Sequence, residues 1–287
     1  MAMNDLSEAE FISRLHDWAA ANNNVRAAIL VGSRTDPEAN IDAFSDYDIN
    51  LYVKSLEPLW LNDDWLSEFG SILVRCPWQP GSFREGWLTR MAVFKEGFRI
   101  DFQITADTPE IHDHINGFQI IIDKENLAAN FPEPTFEDFF VKKPSAEEFG
   151  KFVHEFWWDA IYVAKSLWRD ELFYAKHMLD NSLRFDYQQK LIEWSIAVDH
   201  HWSVRPNKFG RKFKLLLSRQ EWQRIEATFA GASIEENWQA FFNALSLFNE
   251  LAQKVATDLG FDYPETLARE TTEHLKSIHK LPKDKAS

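Results

Sequence analysis

Apolar and polar positions alternate in two segments of the first half of the chain. In the segment 46–53, one face carries the apolar side chains of Tyr47, Ile49, Leu51 and Val53. In the segment 98–104, the corresponding face carries those of Phe98, Ile100, Phe102 and Ile104. A repeat of two residues is typical of a β-strand that packs one face against a core. The pattern therefore predicts strands at 46–53 and 98–104, each with a polar opposite face.

Shorter signals predict the remaining elements of this half. Apolar runs bounded by polar residues or glycine indicate strands at 26–31, 71–75 and 91–94. Apolar residues with helical spacing predict an amphipathic helix over 4–21, and a second helix is expected over 60–69.

The period of the pattern changes in the second half of the chain. Prolines punctuate residues 131–144, and apolar residues then recur with helical spacing from 146 to about 195. Further helices are predicted over the ranges 191–204, 212–228, 234–259 and 264–278, before a polar tail at 280–287. We therefore predict an α+β fold in two domains. Residues 1–140 form a mixed β-sheet flanked by helices, and residues 141–287 form a helical bundle.

Composition narrows the class of partner. The chain has 45 Asp and Glu against 31 Lys and Arg, a formal net charge of -14. Such a charge repels the phosphate backbone, so we expect no nucleic-acid partner, although a local basic patch could still bind one nucleotide. An acidic surface favours binding of a cationic small molecule. The same charge is also expected of a protein that is acidic only because this keeps it soluble. The sequence leaves both interpretations open.

The single cysteine, Cys76, excludes an internal disulfide and a cysteine-based metal site. The first residues lack a basic start followed by an apolar run, and no apolar stretch reaches the roughly 18 residues of a membrane span. We therefore expect a cytoplasmic protein without a membrane partner.

The segment with the clearest chemistry is Gly32-Ser33-Arg34, followed after a loop by Asp46-Tyr47-Asp48. A Gly-Ser turn after a buried strand lets backbone amides and a hydroxyl approach a phosphate. Two carboxylates at i and i+2 of a strand point to the same side and offer hard oxygen ligands of the kind that Mg²⁺ prefers. The alternative is an ordinary turn beside an exposed polar strand face.

Asp101 is a candidate third metal ligand, because it is a carboxylate on the polar face of the predicted strand 98–104. Three carboxylates could hold two metal ions about 4 Å apart, which bind a triphosphate and activate an attacking hydroxyl. An isolated strand Asp is also often merely solvated. For Arg34, a phosphate contact and a structural salt bridge are equally compatible with the sequence.

These residues resemble a known family. Gly32-Ser33-Arg34 with Asp46-Tyr47-Asp48-Ile49 is similar to the nucleotidyltransferase signature of the polymerase β-like superfamily. The whole chain more closely resembles the streptomycin (aminoglycoside) 6-adenylyltransferases, over about residues 5 to 265. The motifs that extend the resemblance are Phe98-Arg-Ile-Asp-Phe-Gln, Glu155-Phe-Trp-Trp, Tyr162-Val-Ala-Lys-Ser-Leu-Trp-Arg-Asp-Glu and Asn207-Lys-Phe-Gly-Arg-Lys-Phe-Lys.

The resemblance implies transfer of AMP from ATP, with Mg²⁺, to a hydroxyl of streptomycin. It implies that Asp46 and Asp48 hold the metal ions, two in number. Asp101 would be a metal ligand, the general base, or both. Gly32 and Ser33 would contact the triphosphate. Residues 1–140 would then be the nucleotidyltransferase domain, and the helical domain would complete the nucleotide and acceptor cleft, in a monomer or a homodimer.

The helical domain adds candidates of its own. Glu155 and Asp159 lie near one face of a predicted helix and could bind a cationic acceptor by charge-assisted hydrogen bonds, or simply be solvated. Lys165, Lys208 and Lys212 are candidate nucleotide ligands. The alternative is that Lys165 pairs with nearby acids and that the lysines at 208–214 are solvated or bind DNA.

Three differences from the family pattern lie where an acceptor pocket would be: Trp158, Ser166 and the stretch 199–206. The sequence therefore also allows an acceptor such as another aminocyclitol, a lincosamide or a protein side chain. A third possibility is a nucleotide-binding module without catalysis, although all three carboxylates are present.

Overall fold

The computed structural model of the protein describes residues 8–79, 83, 84 and 86–282. The chain forms two compact units, Met1–Asp138 and Phe139–Ser287. Each unit has its own hydrophobic core.

The N-terminal unit is built on a seven-stranded sheet in the described part of the chain. Its strands are β1 (Val25–Val31), β2 (Tyr47–Val53), β3 (Ile72–Cys76), β4 (Phe83–Arg84), β5 (Trp87–Phe94), β6 (Arg99–Thr105) and β7 (Gln119–Asp123). The order across the sheet is β3-β5-β6-β2-β1-β7, with β4 paired to β5. β2 and β6 are parallel, and the other pairings are antiparallel, so the predicted mixed sheet is confirmed.

The predicted alternation sets the two faces of this sheet. In β6 the buried residues Ile100, Phe102 and Ile104 alternate with half-buried polar ones. Helix α1 (Glu8–Ala21) buries Phe11, Leu15 and Ala19 in the core on that face. The opposite face has a smaller core around Ala27, Ile29, Tyr52 and Ala128. The polar residues of β2 and β6 therefore belong to a sheet that packs against apolar core residues on both of its faces.

The C-terminal unit is helical. Its helices are α3 (Ala146–Trp168), α4 (Leu172–Lys176), α5 (Gln189–Asp199), α6 (Phe213–Leu216), α7 (Arg219–Glu226), α8 (Ile234–Leu259) and α9 (Glu265–His279), while α2 (Glu57–Trp60) belongs to the N-terminal unit. A π-helix, His177–Gln188, joins α4 to α5. Ser145 and Glu148 cap α3 reciprocally, and Gly260 ends α8 in a left-handed conformation. The α+β fold class predicted from the sequence is confirmed.

The core of this unit is aromatic. Phe156 of α3 stacks on Phe248 of α8 with ring centroids 3.4 Å apart and an interplanar angle of 4°. None of the helices in the described part of the chain combines the length and the apolar character that a membrane span requires.

Three predicted helices were wrong in their limits. The helix expected over 60–69 is instead the short α2 and a 3₁₀ helix, Asp64–Glu68. The helix expected over 212–228 is two helices, because the backbone is extended at Leu217 and Ser218 then caps α7. The helix predicted to reach residue 204 ends at Asp199. Strands β4 and β7 were not predicted. Residues 4–7 and 283–287, which belong to the predicted first helix and polar tail, lie outside the described residues.

Candidate active site

A tight turn after β1 forms one wall of the candidate site. Gly32 begins a 3₁₀ helix, Gly32–Thr35, with a φ of 75°, a region that favours glycine. A Cβ atom at this position would lie 2.3 Å from Asp48 Oδ2. The glycine therefore lets the turn approach the carboxylate of β2, and the next residue, Ser33, is exposed.

The predicted carboxylates lie on adjacent strands. Asp48 and Asp101 are direct partners in the register of parallel strands β2 and β6. Side chains at paired positions of neighbouring strands point to the same face. Asp46 lies two residues before Asp48, just before β2 begins. The tertiary structure thus brings together the three acidic residues that the sequence singled out.

Arg99 interacts with two of these carboxylates. Its Nε and Nη2 donate to Asp101 Oδ1 and Oδ2 at 2.7 and 2.6 Å, and its Nη1 lies 3.6 Å from Asp46 Oδ2. The hydrogen bonds that Arg99 donates to Asp101, together with the charges of Asp101, Asp46 and Asp48, raise the pKa of the guanidinium, against an opposing effect of burial. One arginine therefore offsets the mutual repulsion of the three acids.

The donor chemistry of this cluster suits a magnesium ion, since carboxylate oxygens are its preferred protein ligands. In the part of the chain that the structure describes, no group of three or more His, Cys, Asp or Glu side chains is close enough to hold a metal ion. The residue types therefore suit a magnesium ion. In this structure, however, the carboxylates are arranged around Arg99 and not around an ion.

Arg34, predicted as a nucleotide ligand or a structural ion pair, makes structural contacts. Its Nε and Nη2 donate to the carbonyl oxygens of Asp46 and Ser45, and its Nη1 donates to Glu8 Oε2 at 2.6 Å. The guanidinium also lies 3.8 Å from the centre of the Tyr47 ring. Its side chain is only 8% exposed. Arg34 therefore fixes the backbone from which Asp46 and Asp48 project.

The three candidate lysines all belong to the C-terminal unit. Lys165 is exposed on α3, with its Nζ 5.5 Å from the Tyr162 ring centre. Lys208 and Lys212 lie in the connection between α5 and α6, where Lys208 is exposed and Lys212 half-buried. Their role as nucleotide ligands stays a prediction.

The two candidate acceptor residues lie near a tyrosine that the sequence analysis did not single out. Tyr187 Oη donates to Asp159 Oδ2 at 3.1 Å. Burial raises the pKa of Tyr187 most, followed by the charge of Asp159 and its hydrogen bond, and then the charges of Glu155 and Asp186. Glu155 is exposed and lies 3.7 Å from Lys151 Nζ. Asp159 therefore combines partial burial with a fixed orientation.

Comparison with known proteins identifies the family. The family model described as streptomycin adenylyltransferase matches residues 6–278. The chain belongs to the streptomycin adenylyltransferase family. It is accordingly an enzyme of the nucleotidyltransferase class.

Individual relatives of the chain are distant in sequence. An aminoglycoside 6-adenylyltransferase of Bacillus subtilis is 27% identical over 266 residues, which cover 90% of this chain and 93% of the relative. One from Campylobacter jejuni is 26% identical over 265 residues, with coverage of 90% and 91%. A crystal structure of an aminoglycoside 6-adenyltransferase from Bacillus subtilis has a TM-score of 0.49 at 24% identity, and covers 96% of this chain and 99% of that chain.

Arg99 and Tyr187 contact two of the predicted site residues, Asp101 and Asp159, but were not themselves predicted. A signal for Arg99 was present, because it precedes Asp101 by two residues and so shares its strand face. Tyr187 gave no such signal, since it lies 28 residues from Asp159 along the chain. Ser166, one of the differences from the family pattern, is buried in α3, and its hydroxyl donates to the Tyr162 carbonyl oxygen.

Proposed function

We propose that the protein transfers AMP from ATP to a hydroxyl group of an aminoglycoside, with streptomycin as the first acceptor to test. Such a modification would inactivate the antibiotic and confer resistance. Membership of the family supports the class of reaction. The observation that carries the proposal is the pairing of Asp48 with Asp101 beside the Gly32 turn.

The reaction is an in-line displacement at the α-phosphorus. The acceptor oxygen forms a new bond to phosphorus, the bond between the α-phosphorus and the bridging oxygen breaks, and pyrophosphate leaves. The proton of the hydroxyl passes to a base, for which Asp101 is our candidate. In this chemistry the protein accelerates the reaction by positioning the substrates and neutralising charge.

Asp46, Asp48 and Asp101 are the residues that would hold magnesium. The ion would supply positive charge to the triphosphate and make the acceptor hydroxyl easier to deprotonate. Arg99 pairs with Asp101 and lies near Asp46, so its guanidinium would compete with a magnesium ion for these carboxylates.

The Gly32–Thr35 turn is our candidate for the first triphosphate contact. The absence of a side chain at Gly32 and the exposure of Ser33 allow backbone amides and a hydroxyl to approach phosphate oxygens. Lys165, Lys208 and Lys212 are the proposed cationic ligands. Arg34 instead supports the turn through its contacts with Ser45 and Asp46.

Glu155 and Asp159 are the proposed ligands of the cationic acceptor. Guanidinium and ammonium groups form charge-assisted hydrogen bonds with carboxylates. The Tyr187 hydroxyl already donates to Asp159, which orients this carboxylate before an acceptor arrives. The cytoplasmic location and the monomeric or homodimeric state stay predictions.

The deciding experiment incubates the purified protein with Mg²⁺, ATP and streptomycin, follows pyrophosphate release and weighs the product. We expect streptomycin to gain one AMP unit. Asp48→Asn is expected to abolish transfer while leaving the fold intact. The matched control is Asp64→Asn, because Asp64 is an exposed carboxylate on the 3₁₀ helix of the same unit.

Three other outcomes would change or overturn parts of the proposal. Pyrophosphate release without a change in the mass of streptomycin would require another acceptor. Full transfer by Asp48→Asn would overturn the role of the carboxylate cluster. Magnesium-dependent ATP binding without turnover on any acceptor would favour a non-catalytic module.

A further inference from the structure

The polar face of β2, β6 and β5 continues beyond the carboxylate cluster. Asp48 and Asp101 are partners in the register of β2 and β6. One step along the same face, Asn50 pairs with Gln103, and Gln103 pairs with Thr89 of β5. Side chains at i and i+2 of a strand point to the same side, about 7 Å apart. These three uncharged residues therefore form a second polar row directly beside the acids.

An aromatic contact bounds this polar row on the side away from the acids. Tyr52 follows Asn50 by two residues, and Trp87 precedes Thr89 by two, so both lie on the same face. Tyr52 is buried, and its ring meets that of Trp87 edge-on with the centroids 5.9 Å apart. The row thus lies between the acids and the apolar core of this face. A ligand bound at the acids therefore has uncharged polar side chains beside it.

The amide of Gln103 is fixed at one end and available at the other. Thr89 Oγ1 donates to Gln103 Oε1 at 2.8 Å, and both residues are half-buried. Within the described part of the chain, no group accepts a hydrogen bond from Gln103 Nε2. A donor of this kind bonds to water when no ligand is bound, and a ligand oxygen can replace that water without loss of the hydrogen bond. Gln103 therefore presents an oriented N–H donor next to Asp101.

Strand order decides which substrate meets this donor. The Gly32–Thr35 turn, proposed to bind the phosphates, follows β1, and β1 pairs with β2 on the side opposite to β6. Asp101, the proposed base for the acceptor hydroxyl, lies on β6 together with Gln103, and Thr89 lies on β5, one strand farther from the turn. With the phosphates at the turn, the acceptor therefore occupies the side of the acids that is formed by β6 and β5.

We infer that Gln103 binds a second hydroxyl of the acceptor, adjacent to the one that receives AMP, and that Thr89 positions the Gln103 amide for this contact. Aminoglycosides carry hydroxyl groups on neighbouring ring carbons, so a hydroxyl next to the reacting one lies within reach of the neighbouring row. An amide N–H donates to such an oxygen, and it carries no charge that would repel a cationic acceptor. This inference rests on the proposed function, and all the contacts that carry it belong to the N-terminal unit.

Steady-state kinetics of AMP transfer to streptomycin test the assignment. Gln103→Met keeps the approximate size of the side chain but removes its donors. We expect the KM for streptomycin to rise about tenfold, the effect of one lost hydrogen bond, while the KM for ATP stays unchanged. Thr89→Val releases the amide but leaves its donor in place, so it should raise the KM for streptomycin by only about threefold. Gln119→Met is the matched control and should behave like the wild type, because Gln119 is an exposed glutamine on strand β7 of the same sheet.

Thermal unfolding separates recognition of the acceptor from a structural role. Both variants lose the hydrogen bond between Thr89 and Gln103, so their unfolding temperatures should fall by similar small amounts, whereas only Gln103→Met also loses the donor. An unchanged KM for streptomycin in Gln103→Met would overturn the inference but not the proposed function. Equal increases of the KM for both substrates, or an increase confined to ATP, would also overturn it. If the wild type transferred no AMP, both the inference and the proposed function would fail.

Discussion

Gly32 and Asp48 approach each other so closely that a Cβ atom on the glycine would lie 2.3 Å from a carboxylate oxygen of the aspartate. Gly32 directly follows β1 and Asp48 lies at the start of β2, where Val31 and Asp48 are paired in the sheet. The turn proposed to bind phosphate is therefore built directly against a carboxylate proposed to hold the metal.

Replacement of Gly32 by alanine tests this contact. We expect Gly32→Ala to lower the free energy of unfolding by about 2 kcal/mol, because its positive φ disfavours any residue with a Cβ atom. The displaced Asp48 carboxylate should also reduce AMP transfer by about 100-fold, the effect of a misplacement of roughly 1 Å in an active site. Urea unfolding and pyrophosphate release measure the two effects.

Gly150→Ala is the control for this substitution. Gly150 lies in α3, and nothing lies within 4 Å of a Cβ atom built on it. Alanine is the better helix former by about 1 kcal/mol, so this variant should be more stable and equally active. Wild-type activity in Gly32→Ala would contradict the proposed role of the turn.

The contacts of Arg99 lead to a second prediction about the carboxylate cluster. In Arg99→Gln the three acids lose the cation that offsets their repulsion. Since the Arg99 side chain is 41% exposed, we expect a loss of about 1 kcal/mol in the presence of a chelator. Mg²⁺ should then raise the unfolding temperature of the variant by more than that of the wild type, because the ion no longer competes with the guanidinium. Calorimetric scans with EDTA and with Mg²⁺ measure both values.

Arg26→Gln provides the comparison for Arg99. Arg26 pairs with Glu125 at 2.8 Å on the same unit, away from the three acids. This variant should lose more stability than Arg99→Gln, because Arg26 is only 16% exposed and also donates to the carbonyl oxygens of Ala106 and Asp107, but it should show no added response to Mg²⁺. Equal Mg²⁺ responses of the two variants would show that Arg99 does not compete with the ion.

Arg34 is predicted to act on the fold and not on the nucleotide. Lysine cannot reproduce its three directed contacts, so Arg34→Lys should lower the free energy of unfolding by about 1–3 kcal/mol without any ligand. Arg14→Lys should cost less, since Arg14 donates one hydrogen bond, to the Phe69 carbonyl oxygen. Denaturant titrations of the ligand-free proteins measure the difference. Reduced ATP affinity at wild-type stability would instead make Arg34 a nucleotide ligand.

The Tyr187–Asp159 pair predicts that the stability of the folded protein decreases at alkaline pH. Burial and the neighbouring acids raise the pKa of Tyr187 above its ordinary value of 10.0. The native state therefore keeps its proton at a pH where the unfolded chain loses it. This contribution to stability is complete below pH 10, and it is lost as the pH rises through the raised pKa.

Two variants check the alkaline effect. Tyr187→Phe removes the titrating group, so its stability should fall less steeply above pH 10 than that of the wild type. Asp159→Asn removes a charge that raises the pKa, so tyrosinate absorbance should appear at lower pH. An unshifted tyrosinate titration in Asp159→Asn would contradict the coupling of the two residues. If Asp159 also binds the acceptor, the same variant should raise the KM for streptomycin and leave that for ATP unchanged.

Local patterns in the sequence determined much of the framework. The alternation in 46–53 predicted β2 and placed the apolar side chains of Tyr47, Ile49 and Leu51 in the core. The helix predicted over 234–259 has the observed limits of α8. These signals succeed because a period of two or of 3.6 residues is set by backbone geometry within one element.

Polar and edge segments were harder to predict. β7 was missed because it is a short strand whose pairing with β1 is distant in sequence. The expected helix over 60–69 failed partly because Asp63, in its middle, is buried in an ion pair with Arg90. A local pattern cannot show that a charged side chain will find such a partner, which here lies 27 residues away.

The sequence by itself determined the family, the two candidate carboxylates of β2 and the type of the third. Only the tertiary structure decided that Asp101 lies beside Asp48, that Arg99 pairs with Asp101 and that Arg34 donates to the backbone at Asp46. Periodicity fixes the face on which a side chain lies, whereas strand order and register fix its neighbours. Those neighbours depend on hydrogen bonds and ion pairs between segments far apart in the chain, whose formation requires the whole sheet to assemble.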